Sequence, residues 1–146
     1  MSNNRKFYIN GEWVEPSGSD TVDVINPATE DVIGTIALGT HEDVDAAVTA
    51  AQNAFQTFSQ TTVEERLELL NKITEIIGSR SQDLATAITS EMGAPNGLAK
   101  AAQAGTGLFH FATTASLLAN FSFEEELGKN LVVKEPVGVV GMITPW

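Results

Sequence analysis

Few side chains in this sequence could do chemistry. The chain of 146 residues contains no cysteine, which removes disulfides, thiolate metal sites and a cysteine nucleophile from it. Its two histidines, His41 and His110, are too few and too scattered for a metal centre, which needs three or four converging ligands. His110, between Phe109 and Phe111, reads as a structural or partner-facing residue. Serine and threonine are plentiful, but no G-x-S-x-G elbow sets one up as a nucleophile. Glu91 is the one carboxylate at the end of the Thr/Ser-rich stretch "ATAITSEM", just before Gly93; taken alone it is a surface carboxylate at a helix end. The run "GVVGM" carries two glycines three apart, without the G-x-G-x-x-G fingerprint or a P-loop, so motif alone makes nucleotide binding a weak inference.

Composition narrows the partners. The formal net charge is -11, from 19 acidic and 8 basic residues, and such a field repels phosphate backbones and anionic lipid headgroups. Nucleic acid and membrane partners are therefore not expected. The N-terminal "MSNNRKFYINGEWV" has no apolar h-region, and no stretch approaches the roughly 18 apolar residues of a membrane span; cytoplasmic residence is the default expectation. A hydrophobic fraction of 42% with periodic apolar positions is that of a folded chain.

The elements that would position these residues follow from local signals. Asn10-Gly11 tolerates the positive φ angles of a two-residue turn and predicts a hairpin over 7–14. "TVDVI" alternates, turns at Asn26-Pro27 and continues into "VIGTIAL". Thr40 with Asp43 starts a helix over 41–58, and Thr62 with Glu65 starts a second over 63–77, with Gly78 as its expected stop. Ser81 caps a third helix that breaks at Gly93 and Pro95. A fourth, over 98–120, is lined by Ala101, Ala102, Ala104, Gly105, Gly107, Ala112, Ala115 and Ala119, small enough for another backbone to approach closely. The run "EEE" at 124–126 reads as a solvated acidic loop. Leu131–Lys134 reads as an edge strand, because Pro136 follows it. Val137–Thr144 is continuously apolar, as strands covered on both faces of a parallel sheet are. Such a strand needs neighbours and crossover helices that the chain does not contain, so it is expected to be interrupted at Trp146.

Four stretches, in order, carry a family resemblance. "FYINGEWV", "INPATEDVIGTIALGTHEDVDAAVTAAQNAF", the Glu-x-Gly-x-Pro helix end "SEMGAP", and "KEPVGVVGMITPW" together resemble the N-terminal part of the aldehyde dehydrogenase superfamily; the last is similar to its E-P-x-G-V-x-x-x-I-x-P-W-N signature. The resemblance covers the whole chain. It implies an α/β fold of which this is the N-terminal portion only: outer helices, β-hairpins and the first strand of a Rossmann-like sheet.

The resemblance also implies a function. The complete enzyme would oxidise a small-molecule aldehyde to a carboxylic acid with NAD or NADP, NAD being favoured, through a thiohemiacetal on a cysteine that lies beyond this chain. Ile143, Thr144, Pro145 and Trp146 would contact the cofactor, a placement consistent with ligands binding beyond the carboxyl ends of strands in open α/β sheets. Backbone carbonyls of Val24 and Ile25 with Glu91 would hold a structural monovalent cation, as some members do. Small residues around Gln103 to Gly107 would shape the aldehyde tunnel. The "VVKEPVGV" ribbon resembles a strand used for subunit pairing, which implies a homo-oligomer, dimer or tetramer. The expected division is 1–127 as part of the cofactor-binding domain, 128–138 as an oligomerisation ribbon and 139–146 as the first Rossmann-like strand. The alternative is a short, non-enzymatic helical interaction or oligomerisation module.

Overall fold

The computed structural model describes residues 4–144. Among the described residues, six short strands pair only with their sequence neighbours, as three separate two-stranded antiparallel sheets. Between the second and third lies the helical layer.

The first hairpin pairs β1 (Phe7–Ile9) with β2 (Glu12–Val14), Phe7 opposite Val14 and Ile9 opposite Glu12. Asn10 and Gly11 have φ of 53° and 82°, the positive values that a two-residue turn matched to strand twist demands. The second hairpin pairs β3 (Thr21–Ile25) with β4 (Val32–Ala37). Its turn is closed by Asn26, whose Oδ1 accepts the Ala28 N–H at 2.9 Å and whose carbonyl accepts the Glu30 N–H at 2.8 Å.

Helix α1 (His41–Phe58) begins where expected. The Asp43 carboxylate accepts the Thr40 N–H at 2.8 Å and, from the loop after β2, the Ser17 N–H at 2.9 Å. One carboxylate thus both caps the helix and ties the first hairpin's exit to it. Those two amides hold the Asp43 carboxyl below its usual range, and the Thr40 hydroxyl does the same for Glu42. The bonds are made to the ionised form, so their stabilisation is present above the ordinary aspartate range and is lost as pH falls through the depressed value. Acidification is expected to strip hydrogen-exchange protection from the Ser17 and Thr40 amides while leaving the β3–β4 ladder protected.

Helix α2 (Val63–Ser79) has its capping box made, Thr62 and Glu65 each accepting the other's backbone N–H. It runs through Gly78 instead of stopping there. The side-chain-free face of Gly78 looks at Leu108, where an added Cβ would sit 3.7 Å from Cδ1, so this glycine is a helix-packing position. The chain turns one residue later, at Arg80, into α3 (Ser81–Met92); Ser81 is inside that helix, and Arg80 holds the cap position. Gly93, at φ 77°, ends α3 in the left-handed conformation.

The expected fourth helix is three pieces in one rod: α4 (Asn96–Leu98), a π-helical stretch (Ala99–Ala104) and α5 (Gly105–Leu118). The π stretch packs on α3, and α5 packs on α2. The core they form is made of alanine. Ala85, Ala94, Ala99, Ala104 and Ala115 are the buried hydrophobic residues among those described, and no larger side chain is fully enclosed. The small residues do bring backbones together, while Phe109, Leu117 and many other large apolar side chains stay exposed.

The acidic run is not a loop. Glu124–Leu127 forms β5 and pairs with β6 (Asn130–Val133), Glu124 opposite Val133, around a tight turn at Gly128 (φ 67°). Residues 134–144 form no strand among the described residues. Val137 and Ile143 are 91% and 98% exposed. The expected parallel strand is thus not formed among the described residues, since strand character is conferred by a ladder.

Candidate functional site

The most constructed junction in the molecule joins the β3–β4 turn to the end of α3. Two tight features meet there: Pro27 in the turn and Gly93 at the helix end. A Cβ on Gly93 would stand 2.7 Å from Pro27 Cγ, a separation real Cβ atoms do not tolerate. Glycine is thus required twice, for its positive φ and for the approach of the proline ring.

This junction carries Glu91 to the β3–β4 ladder. Glu91 lines a cavity of about 260 Å³ together with Val24, Ile33, Gly34, Ile36 and Asn4. Two of the three residues expected at a cation site, Val24 and Glu91, therefore share one pocket. Ile25 does not line it: successive side chains of a strand point to opposite faces, and Ile25, next to Val24, is 53% exposed. Among the described residues no group of three His, Cys, Asp or Glu side chains converges as a metal centre would require, so any cation here would depend on backbone carbonyls.

Ile143 and Thr144 end the exposed segment after β6, and Pro145 and Trp146 lie outside the described residues. His41 opens α1 and His110 lies on the exposed side of α5. The Phe109 and His110 rings meet edge-on, 5.9 Å between centroids, and nothing else at His110 suggests chemistry.

Where α3 meets the π stretch, polar groups are left over. Gln103 Nε2 contacts Met92 Sδ at 3.3 Å, whereas Gln103 Oε1 and Thr89 Oγ1 are buried and without hydrogen-bond partners among the described residues. Buried polar groups are normally paired, and π turns inside α-helices concentrate at functional positions. Sequence reasoning singled out Gln103 but not Thr89, one of several hydroxyls in the Thr/Ser-rich stretch before Glu91.

A larger cavity, about 430 Å³, separates the start of α2 from the ribbon's exit, with Thr62, Arg66, Phe123, Lys134 and Glu135 in its walls. Both cations there are engaged by the chain itself. Arg66 donates to Thr61 Oγ1 at 2.8 Å and to the Ser59 carbonyl at 3.1 Å. Lys134 donates to the Ser122 carbonyl at 3.0 Å and lies 5.3 Å from the centre of the Phe121 ring. Arg66 thereby ties the start of α2 to the loop before it, and Lys134 ties the end of the ribbon to the segment before β5.

Comparison with known proteins gives a consistent result. The profile described as "Aldehyde dehydrogenase family" matches residues 13–146. A 3-succinoylsemialdehyde-pyridine dehydrogenase of Pseudomonas sp is 52% identical over 147 residues, which is all of this chain and 31% of that protein. Among solved structures, an aldehyde dehydrogenase of Bartonella henselae superposes with a TM-score of 0.85 at 44% identity, over 89% of this chain and 28% of its own. Aldehyde dehydrogenase C of Pseudomonas syringae, solved with NAD+ and octanal, superposes with a TM-score of 0.90 at 38% identity, over 92% of this chain and 28% of its own. The chain thus spans about a third of the length of the curated relatives it matches.

Proposed function

Because this chain belongs to the aldehyde dehydrogenase family, we propose that it is the N-terminal part of an NAD(P)+-dependent oxidoreductase that converts an aldehyde to a carboxylic acid. One observation carries the reading: 92% of the chain superposes, at a TM-score of 0.90, on a dehydrogenase solved with NAD+ and octanal. NAD+ is the favoured cofactor on the same ground.

The division of labour follows from what the chain has and lacks. Carbon–hydrogen oxidation of an aldehyde by covalent catalysis requires an activated thiolate, and this chain has no cysteine. The bound nicotinamide would serve as hydride acceptor. This chain's share is structural and positional. Residues 139–146 would enter the sheet as its first Rossmann-like strand, with Ile143, Thr144, Pro145 and Trp146 at its carboxyl end against the cofactor. Glu91 and Val24 line one cavity, and the Glu91 carboxylate with the Val24 and Ile25 carbonyls would hold a monovalent cation. Thr89 and Gln103, with their unpaired buried oxygens, would face the aldehyde channel beside the small residues up to Gly107.

The ribbon is the proposed oligomerisation arm. Read from the sequence as 128–138, it takes in β5 as well and so begins at Glu124. Strand β6 presents Leu131, Val132 and Val133 exposed on an open edge, and an open edge is the element that strand addition uses. A homodimer or homotetramer is the assembly this arm suits.

The test compares the complete protein with the isolated 146-residue chain. The complete protein is expected to form NADH with an aldehyde. The isolated chain is expected to form none, and to give no calorimetric binding of NAD+ at about millimolar concentration. Saturable NAD+ binding by the isolated chain would overturn this assignment of roles, and a complete protein without aldehyde-dependent NADH formation would overturn the function.

A further inference from the structure

The chain has two Asn-Gly pairs, Asn10-Gly11 and Asn96-Gly97, held in different backbone conformations. We propose that Asn10 is a site of spontaneous covalent modification, cyclising to a succinimide with Gly11 and opening to aspartate or isoaspartate, and that the fold protects Asn96 from the same fate.

The chemistry needs no partner but water. The Gly11 backbone nitrogen loses its proton and attacks the Asn10 side-chain carbonyl carbon. A bond forms between Gly11 N and Asn10 Cγ, the Cγ–Nδ2 bond breaks, and ammonia leaves with the proton. Water then adds to either ring carbonyl. Addition at Cγ breaks its new bond to Gly11 N and gives an ordinary aspartate in place of the asparagine, and addition at the Asn10 main-chain carbonyl breaks the original peptide bond to Gly11 N and leaves an isoaspartyl link through Cγ. No electrons change hands.

The turn is built to reach the ring's geometry. A five-membered ring joining Asn10 Cγ to Gly11 N fixes ψ of residue 10 far from the value it has in a turn with two positive φ angles. That value, about −120°, belongs to the other favoured two-residue hairpin turn, whose first residue also has φ of about +60°. Asn10 already has φ 53°. Rotating the single peptide plane between residues 10 and 11 therefore interconverts the two turns and leaves the Ile9–Glu12 pairing in place. Gly11, at φ 82°, is the residue type that can follow to negative φ without a Cβ penalty.

Space and solvent permit the flip. Both residues are exposed, and a Cβ placed on Gly11 would meet nothing within 4 Å. Asn10 and Gly11 border a cavity of about 340 Å³ over the Ala47, Ala50, Ala51 and Ala54 face of α1. The flanking strands are three residues each, and a hairpin of that size opens readily.

Asn96 stands in the opposite situation. It is the first residue of α4, and Gly97 lies between the partners of a helical bond, Ala99 N–H to Pro95 carbonyl at 2.9 Å. Rotating the 96–97 peptide plane breaks that first turn. One lost hydrogen bond of about 1 to 1.5 kcal/mol corresponds to roughly a tenfold slower reaction.

The products differ in consequence. Aspartate keeps the turn and adds a charge. Isoaspartate inserts Cβ into the main chain, so the two-residue loop no longer matches the Ile9–Glu12 register and the Tyr8–Trp13 ring contact of 5.2 Å loses its template.

The experiment is an ageing series on the complete folded protein in mildly alkaline buffer, followed by peptide mass mapping and enzymatic methylation of isoaspartate. The same series is run on the denatured protein. The expected result is conversion at Asn10 roughly ten times faster than at Asn96 in the folded protein, with similar rates once denatured. Equal rates in the folded protein, faster conversion at Asn96, or an Asn10 that stays an amide while the denatured control converts would each overturn the proposal.

Discussion

Replacing Gly93 with alanine in the complete enzyme is expected to lower its stability by about 3 kcal/mol, read as a fall in the thermal midpoint. Two independent causes add. The residue holds φ 77° at the end of α3, which costs an alanine about 1 kcal/mol or more. The new Cβ would also stand 2.7 Å from Pro27 Cγ, so the β3–β4 turn must move away from the helix end. The second cause can be isolated by repeating the replacement in a Pro27→Ala background. There the steric share is relieved and only the conformational share remains, about 1 kcal/mol. Strictly additive effects of the two replacements would show that the turn and the helix end are not in the contact described. Because Glu91 is two residues from Gly93 and borders the same junction, the single variant is also expected to lose any response of stability to monovalent cations, which the double variant should partly regain.

How far the sequence could be read depended on how local each cause was. Asn10-Gly11 announces its turn because the need for positive φ is a property of two residues. Thr40 with Asp43, and Thr62 with Glu65, announce helix starts because capping is complete within four residues. Gly93 followed by Pro95 announces a stop for the same reason. Gly78 misled because a glycine in a helical pattern is consistent with a terminus or with close packing, and only Leu108, on another helix, decides between them. The π stretch was illegible because "AKAAQA" has no apolar period by which one inserted residue could be noticed. Glu124 to Glu126 became a strand through pairing with Val133, Val132 and Leu131, against their low β-propensity.

The candidate site divides along the same line. The apposition of Val24 and Glu91 was accessible only through family resemblance, since no spacing rule links a strand to the end of a helix beyond an intervening helical layer. That Ile25 stays out of the pocket follows from strand alternation, which sets the neighbours Val24 and Ile25 on opposite faces. The alanine core explains why so much apolar surface remains open: the helices meet through their smallest residues, and many of their larger side chains, Phe109 and Leu117 among them, stay exposed.

The largest effect is expected from Val140→Asp, and its size should depend on how much of the protein is present. In the isolated chain Val140 is 62% exposed within a segment that forms no strand among the described residues, so an aspartate there should change stability by no more than about 0.5 kcal/mol. In the complete enzyme the same apolar run would be a strand covered on both faces, and an unpaired carboxylate would cost several kcal/mol. Against the roughly 5–15 kcal/mol that hold a domain together, that is enough to remove soluble, active enzyme. Val140→Ala controls for lost volume alone: it should cost about 2 kcal/mol and leave a folded, active protein. The contrast separates the two readings of the chain without reference to any ligand. A first strand of a larger sheet must be intolerant of charge only when the rest of the sheet is there to bury it. A self-contained helical module would tolerate Val140→Asp equally in both contexts, and a complete protein that stays soluble and active with it would displace residues 139–146 from the sheet and, with them, Ile143 and Thr144 from the cofactor.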